Sequence, residues 1–106
     1  VEKLSEDDIK QWVNENEILI IFFKTDGCGV CQAQLPVIEQ IGDDLEVPLR
    51  VVNLSVNRHI AASQMVLSSP ITKVFDRGRE FYKQGAFIDF NKLRKMLQQL
   101  QQSQQG

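Results

Sequence analysis

The sequence predicts an α/β fold, a central mixed β-sheet flanked by helices on both faces. Three observations carry that prediction. Residues 18–23 form an unbroken apolar run, which reads as a strand buried on both faces because it lacks the alternation of a half-exposed one. Helical stripes alternate with β-rich runs along most of the chain, which favours parallel pairing of the strands they separate. Further on, two β-rich runs flank Asp76-Arg77-Gly78, whose glycine accommodates a positive φ, so an antiparallel hairpin closes one edge.

Taken in order, residues 1–4 can make a short first strand. Ser5-Glu6-Asp7-Asp8 then marks a helix start, with a serine cap, an acid three residues on and acids in the first turn. Ile9, Trp12 and Val13 give that helix one apolar stripe, and residues 14–17 end it. The buried strand follows. A second helix runs from Gly29 to about Ile41, with Val30, Ile38 and Ile41 on one side. Pro36 removes one of its backbone hydrogen bonds and is expected to kink rather than end it, since the apolar spacing resumes beyond.

Gly42-Asp43-Asp44 reads as a stop, and residues 49–54 as a strand. A weaker helix is expected over residues 57–66 on the strength of Ile60, Ala61, Ala62 and Met65, interrupted by Ser68-Ser69-Pro70. The hairpin strands cover residues 71–75 and 79–82, and Gly85-Ala86 breaks the second. Asp89 is placed to cap a last helix striped by Phe90, Leu93, Leu97 and Leu100. The tail 98–106, with six glutamines in nine residues, is expected to fray. The order is β-α-β-α-β-α-β-β-α, read as one domain over residues 1–106.

Composition narrows the function. With 106 residues, 42% apolar and 25% charged, the chain has an ordinary globular make-up and enough length for a core without staples. Its net charge of −2 is spread along the chain, so there is no nucleic-acid footprint, and Arg77-Gly78-Arg79 reads as a charged turn. No apolar run reaches the length of a membrane span and no signal sequence opens the chain, so a cytoplasmic location is expected. Nothing in the pattern requires more than a monomer.

The chemistry lies in Lys24-Thr25-Asp26-Gly27-Cys28-Gly29-Val30-Cys31, which holds both cysteines at a strand-to-helix junction. Unpaired N–H groups and the positive end of the helix dipole favour an anion near Cys28, and the thiolate is the reactive form of cysteine. Such a close pair is redox-active or metal-binding. A structural zinc site wants four Cys or His ligands, and His59 is the one further candidate, so no metal is assigned. His59 and Trp12 read as surface or core residues, and the leucine stripe of the last helix as core.

Four markers at mutually consistent spacings make nearly the whole chain resemble the thioredoxin family. They are Cys28-Gly29-Val30-Cys31 after a buried strand, Pro36 five residues beyond, Ser69-Pro70 before a strand, and Gly78 followed by Gly85-Ala86. The resemblance implies a thioredoxin fold and a protein-disulfide reductase, or thiol–disulfide oxidoreductase, that cycles Cys28 and Cys31 between dithiol and disulfide. It assigns Cys28 as the nucleophile and Cys31 as the resolving thiol. Gly29, Val30, Ser69, Pro70, Gly85 and Ala86 are implied to line a groove for protein disulfide substrates, with Pro70 in cis, an isomer open chiefly to X-Pro bonds. Electrons are implied to come from a thioredoxin-reductase-like flavoprotein or a low-molecular-weight thiol, with no metal or bound organic cofactor.

Lys24, four residues before Cys28, is a candidate support for its thiolate. Three positions depart from the family pattern. Phe22 stands where thioredoxins usually carry a buried aspartate, Gly27 where a tryptophan is usual, and Gly29-Val30 where glycine-proline is usual. Histidine between the cysteines goes with oxidants in this family, so its absence leans towards a reductant. The alternative function is a thioredoxin-fold interaction module with weak or vestigial redox activity.

Overall fold

The computed structural model describes residues 3–105. The elements are α1 (Glu6–Glu15), β1 (Ile18–Lys24), α2 (Gly29–Leu45), β2 (Leu49–Asn53), α3 (Arg58–Ser63), β3 (Ile71–Asp76), β4 (Arg79–Gln84) and α4 (Phe90–Gln105). The strands form one mixed sheet in the order β2-β1-β3-β4. β1 runs parallel to β2 and antiparallel to β3, and β3 and β4 pair as the antiparallel hairpin. Arg77 (φ 49°) and Gly78 (φ 86°) are both left-handed at its turn, the combination that matches the twist of a two-residue hairpin.

β1 divides two cores. Its residues Leu19, Ile21 and Phe23 join Ile9 and Val13 of α1 and Ile60 of α3 on one face. Ile18, Ile20 and Phe22 join Cys31, Ile38 and Ile41 of α2 and Leu93, Leu97 and Leu100 of α4 on the other. Six of its seven residues are buried, as an apolar run without alternation requires. The first core also takes in Lys73 of β3, 2% exposed, whose Nζ pairs with Glu80 Oε1 at 2.6 Å and donates to the Gln64 carbonyl at 2.8 Å. Those partners satisfy a charge that burial would otherwise penalise.

Several expectations give way. Of the first strand expected over residues 1–4, Val1 and Glu2 lie outside the described residues, and Lys3 and Leu4 are not in a strand. The Leu4 N–H donates to Asn57 Oδ1 at 2.7 Å and its carbonyl meets the His59 ring nitrogen, so side chains replace a ladder. The stop at Gly42-Asp43-Asp44 is absent, and α2 runs through it, as through Pro36, to Glu46 in the left-handed cap position. A Cβ on Gly42 would meet the Val47 carbonyl at 3.0 Å, so this glycine permits a close return of the chain.

α3 is shorter than the expected 57–66, since Met65 turns left-handed at φ 55°. β4 extends two residues further than expected, to Gln84. The glutamine-rich stretch stays helical to Gln105, where fraying was expected. Glutamine is a good helix former, and Gln101 Nε2 anchors this end by donating to the Leu45 carbonyl at 2.6 Å.

Candidate functional site

β1 ends at Lys24 and the chain turns through Thr25, Asp26 and Gly27 into α2. Gly27 is left-handed (φ 70°), a conformation that a side chain would strain. Cys28 is the N-cap of α2, and its Sγ accepts from the Cys31 N–H at 3.1 Å. The two cysteines form a disulfide with Cα atoms 5.2 Å apart. Their surroundings differ: Cys28 is half-buried at the helix end, whereas Cys31, 2% exposed, lies in the α2–α4 core with Phe22. An anion at Cys28 meets the positive end of α2 and water, whereas one at Cys31 is cut off from water.

Side chains from distant parts of the chain hold this junction. Thr25 Oγ1 and Ser69 Oγ share a hydrogen bond of 2.7 Å, which brings the Ser69-Pro70 loop beside the cysteine loop. The Ser69-Pro70 peptide is cis and Pro70 is buried. Asp26 is tied to the end of β2: its N–H donates to Ser55 Oγ at 2.9 Å, and its Oδ1 accepts from Asn53 Nδ2 at 2.9 Å. One turn beyond Cys31, Gln34 Nε2 donates to the Ala86 carbonyl at 2.6 Å, drawing the segment after β4 onto α2.

Sequence reading missed Thr25, Asn53, Ser55 and Gln34. Their partners lie 27 to 52 residues away, so no local pattern announces them.

The other expected site residues divide. Gly29 and Val30 are exposed at the start of α2. Lys24 lines a recess of about 160 Å³ together with both cysteines and Leu35. Gly85 follows β4, where a Cβ would touch Ile71 Cδ1 at an ordinary 3.8 Å, so packing does not demand glycine there. Leu67 and Phe87, each 95% exposed, stand beside the Ser68-Ser69-Pro70 and Gly85-Ala86 segments and were not anticipated. Among the described residues no group of three or more His, Cys, Asp or Glu side chains is placed to hold a metal, and no helix is long and apolar enough to cross a membrane.

A disulfide of C-x-x-C spacing capping a helix at the end of a doubly buried strand defines a thiol–disulfide oxidoreductase of the thioredoxin fold. The thioredoxin family model matches residues 1–102, and the chain belongs to that family. It is 24% identical over 99 residues to the thioredoxin-like protein YdfQ of Bacillus subtilis, covering 92% of this chain and 88% of that protein. A thioredoxin-like protein of Synechocystis is 29% identical over 68 residues, or 62% of this chain and 64% of that one.

Solved structures show the same fold. A mutant thioredoxin from Halobacterium salinarum superposes with a TM-score of 0.83 at 18% identity, covering 92% of this chain and 87% of that one. The oxidised mitochondrial thioredoxin 3 of Saccharomyces cerevisiae gives 0.79 at 20% identity, covering 93% and 94%.

Proposed function

We propose that this protein reduces disulfides in protein substrates. The observation that carries the reading is the asymmetry of the pair: Cys28 is partly open at the N-terminus of α2 and Cys31 is buried beneath it. The Cys28 thiolate attacks one sulfur of a substrate disulfide, and the other leaves as a thiolate that takes up a proton. Cys31 then gives up its proton and attacks Cys28 Sγ. The Cys28–substrate bond breaks, the electron pair leaves on the second substrate sulfur, and the proton follows it. The substrate is reduced by two electrons and the Cys28–Cys31 disulfide remains.

Gly29, Val30, Ser69, Pro70, Gly85 and Ala86 would form the groove for the substrate segment, and Lys24 would favour the Cys28 thiolate from the shared recess. A thioredoxin-reductase-like flavoprotein or a low-molecular-weight thiol would restore the dithiol. The cycle uses no metal or organic cofactor, and a cytoplasmic monomer suits it. Cys28→Ser is expected to abolish turnover, and Cys31→Ser to accumulate mixed disulfides that mass spectrometry detects. A Cys31→Ser protein that captures no substrate would overturn the reading.

Phe22 favours a second reading, an interaction module with weak redox activity, because an aromatic ring shares the buried cluster of the resolving cysteine where the family usually has an acid. Partner binding that survives in the Cys28→Ser/Cys31→Ser double variant would support it. Binding lost in that variant would count against it.

A further inference from the structure

Among the described residues, Gln34 Oε1 and Thr72 Oγ1 are buried polar side-chain atoms without a protein partner. Both residues are more than nine-tenths buried, at 7% and 1% exposure. Gln34 stands three residues after Cys31 on the buried stripe of α2, so the two share one helix face. Its orientation is fixed by chemistry: the Ala86 carbonyl only accepts, so the amide nitrogen faces it and the oxygen is left over.

Thr72 sits directly opposite Phe22 in the β1–β3 ladder and two residues from Val74. Phe22 and Val74 both belong to the cluster that contains Cys31, and side chains two apart on a strand share a face. Gln34 on the helix and Thr72 on the sheet therefore lie on the two faces that bound the layer holding the resolving sulfur. Buried polar atoms are costly unless partnered.

We propose that Gln34 and Thr72 are positioning residues that solvate the Cys31 sulfur in the dithiol and mixed-disulfide states. The proposal rests on the thiol–disulfide cycle above. The disulfide offers no proton to donate to Gln34 Oε1, and in the oxidised protein Thr72 Oγ1 makes no hydrogen bond to its sulfur. Once Cys31 is released as a thiol, its S–H can donate to Gln34 Oε1. Once it ionises, its thiolate can accept from the Thr72 hydroxyl. An amide and a hydroxyl are not bases, so neither keeps the proton, which passes to the departing substrate thiolate. The pair gives the buried sulfur polar partners in a cluster where Phe22 supplies none.

The test uses the reduced protein and a chromogenic aromatic disulfide, 5,5′-dithiobis(2-nitrobenzoate). A first burst of released thiolate reports attack by Cys28, and a second reports attack by Cys31 on the mixed disulfide. Thr72→Val, which keeps the shape and removes the hydroxyl, is expected to leave the first burst unchanged. It should slow the second by about ten- to a hundredfold, the range that corresponds to a lost hydrogen bond to a charged group. Thr72→Ser should restore the rate, and Gln34→Met should also slow the second burst alone.

A second burst at the original rate in both Thr72→Val and Gln34→Met would overturn the proposal. So would equal slowing of both bursts, or a Thr72→Ser protein as slow as Thr72→Val. A native protein with a first burst but no second would overturn the oxidoreductase cycle itself, a result that separates the two failures.

Discussion

At the scale of single residues, Phe22 and Gly27 set the chemical character of the site. Phe22 is fully buried between β1 and α2, in the cluster that holds Cys31. Phe22→Ala is expected to cost about 3–5 kcal/mol, the range for removing a buried aromatic side chain. Phe22→Asp should cost more, because the carboxylate would be buried among apolar groups. Urea midpoints of the oxidised protein measure both, and a loss for Phe22→Asp smaller than for Phe22→Ala would show that the pocket already solvates an acid. Gly27 is held by its backbone instead: a Cβ there meets nothing within 4 Å, yet φ is 70°. Gly27→Ala should therefore destabilise by about 1–2 kcal/mol, purely from the left-handed conformation. A neutral result in the same urea titration would contradict that origin.

At the scale of elements, Tyr82, the sole tyrosine of the chain, packs from β4 against the core cluster that holds Leu93, Leu97 and Leu100 of α4. Tyr82 ionises above the ordinary tyrosine value, first because burial disfavours the phenolate and second because the Asp89 carboxylate repels it. Asp89 is held there as the cap of α4, its Oδ1 accepting from the Lys92 N–H at 3.1 Å. With the folded value raised, the stability Tyr82 contributes is complete below about pH 10 and is lost as pH rises through the folded value. Ultraviolet titration of the phenolate should give a midpoint above that of free tyrosine. Asp89→Asn should lower it in part, leaving the contribution of burial. A native midpoint at the free-tyrosine value would contradict the burial of Tyr82 against that cluster.

At the scale of the whole molecule, the arrangement follows from β1. A strand apolar at every position from Ile18 to Phe23 needs cover on both sides, and that requirement is legible in the sequence. So are the hairpin at Arg77-Gly78 and the placing of Cys28 at a helix start, because turn glycines and helix caps have local signatures. The Thr25–Ser69, Asp26–Asn53 and Gln34–Ala86 contacts are not legible. Each joins polar residues far apart in sequence, and nothing in either local stretch specifies its partner. Local signals also misled where tertiary contacts override them. The glycine-aspartate run in α2 looked like a stop and is instead a close crossing with Val47, and Leu4 met the side chains of Asn57 and His59 rather than a strand.

All three scales bear on one claim, that Cys28 and Cys31 exchange electrons reversibly with other thiols. The measurement that tests it most directly is the reduction potential of the pair, by equilibration in defined thiol buffers and alkylation of the free thiols. A reversible two-electron couple at the reducing end of the family range, roughly −270 mV, is expected. A couple near roughly −120 mV would contradict the reductase direction, and a pair that never forms a reversible disulfide would contradict the enzyme.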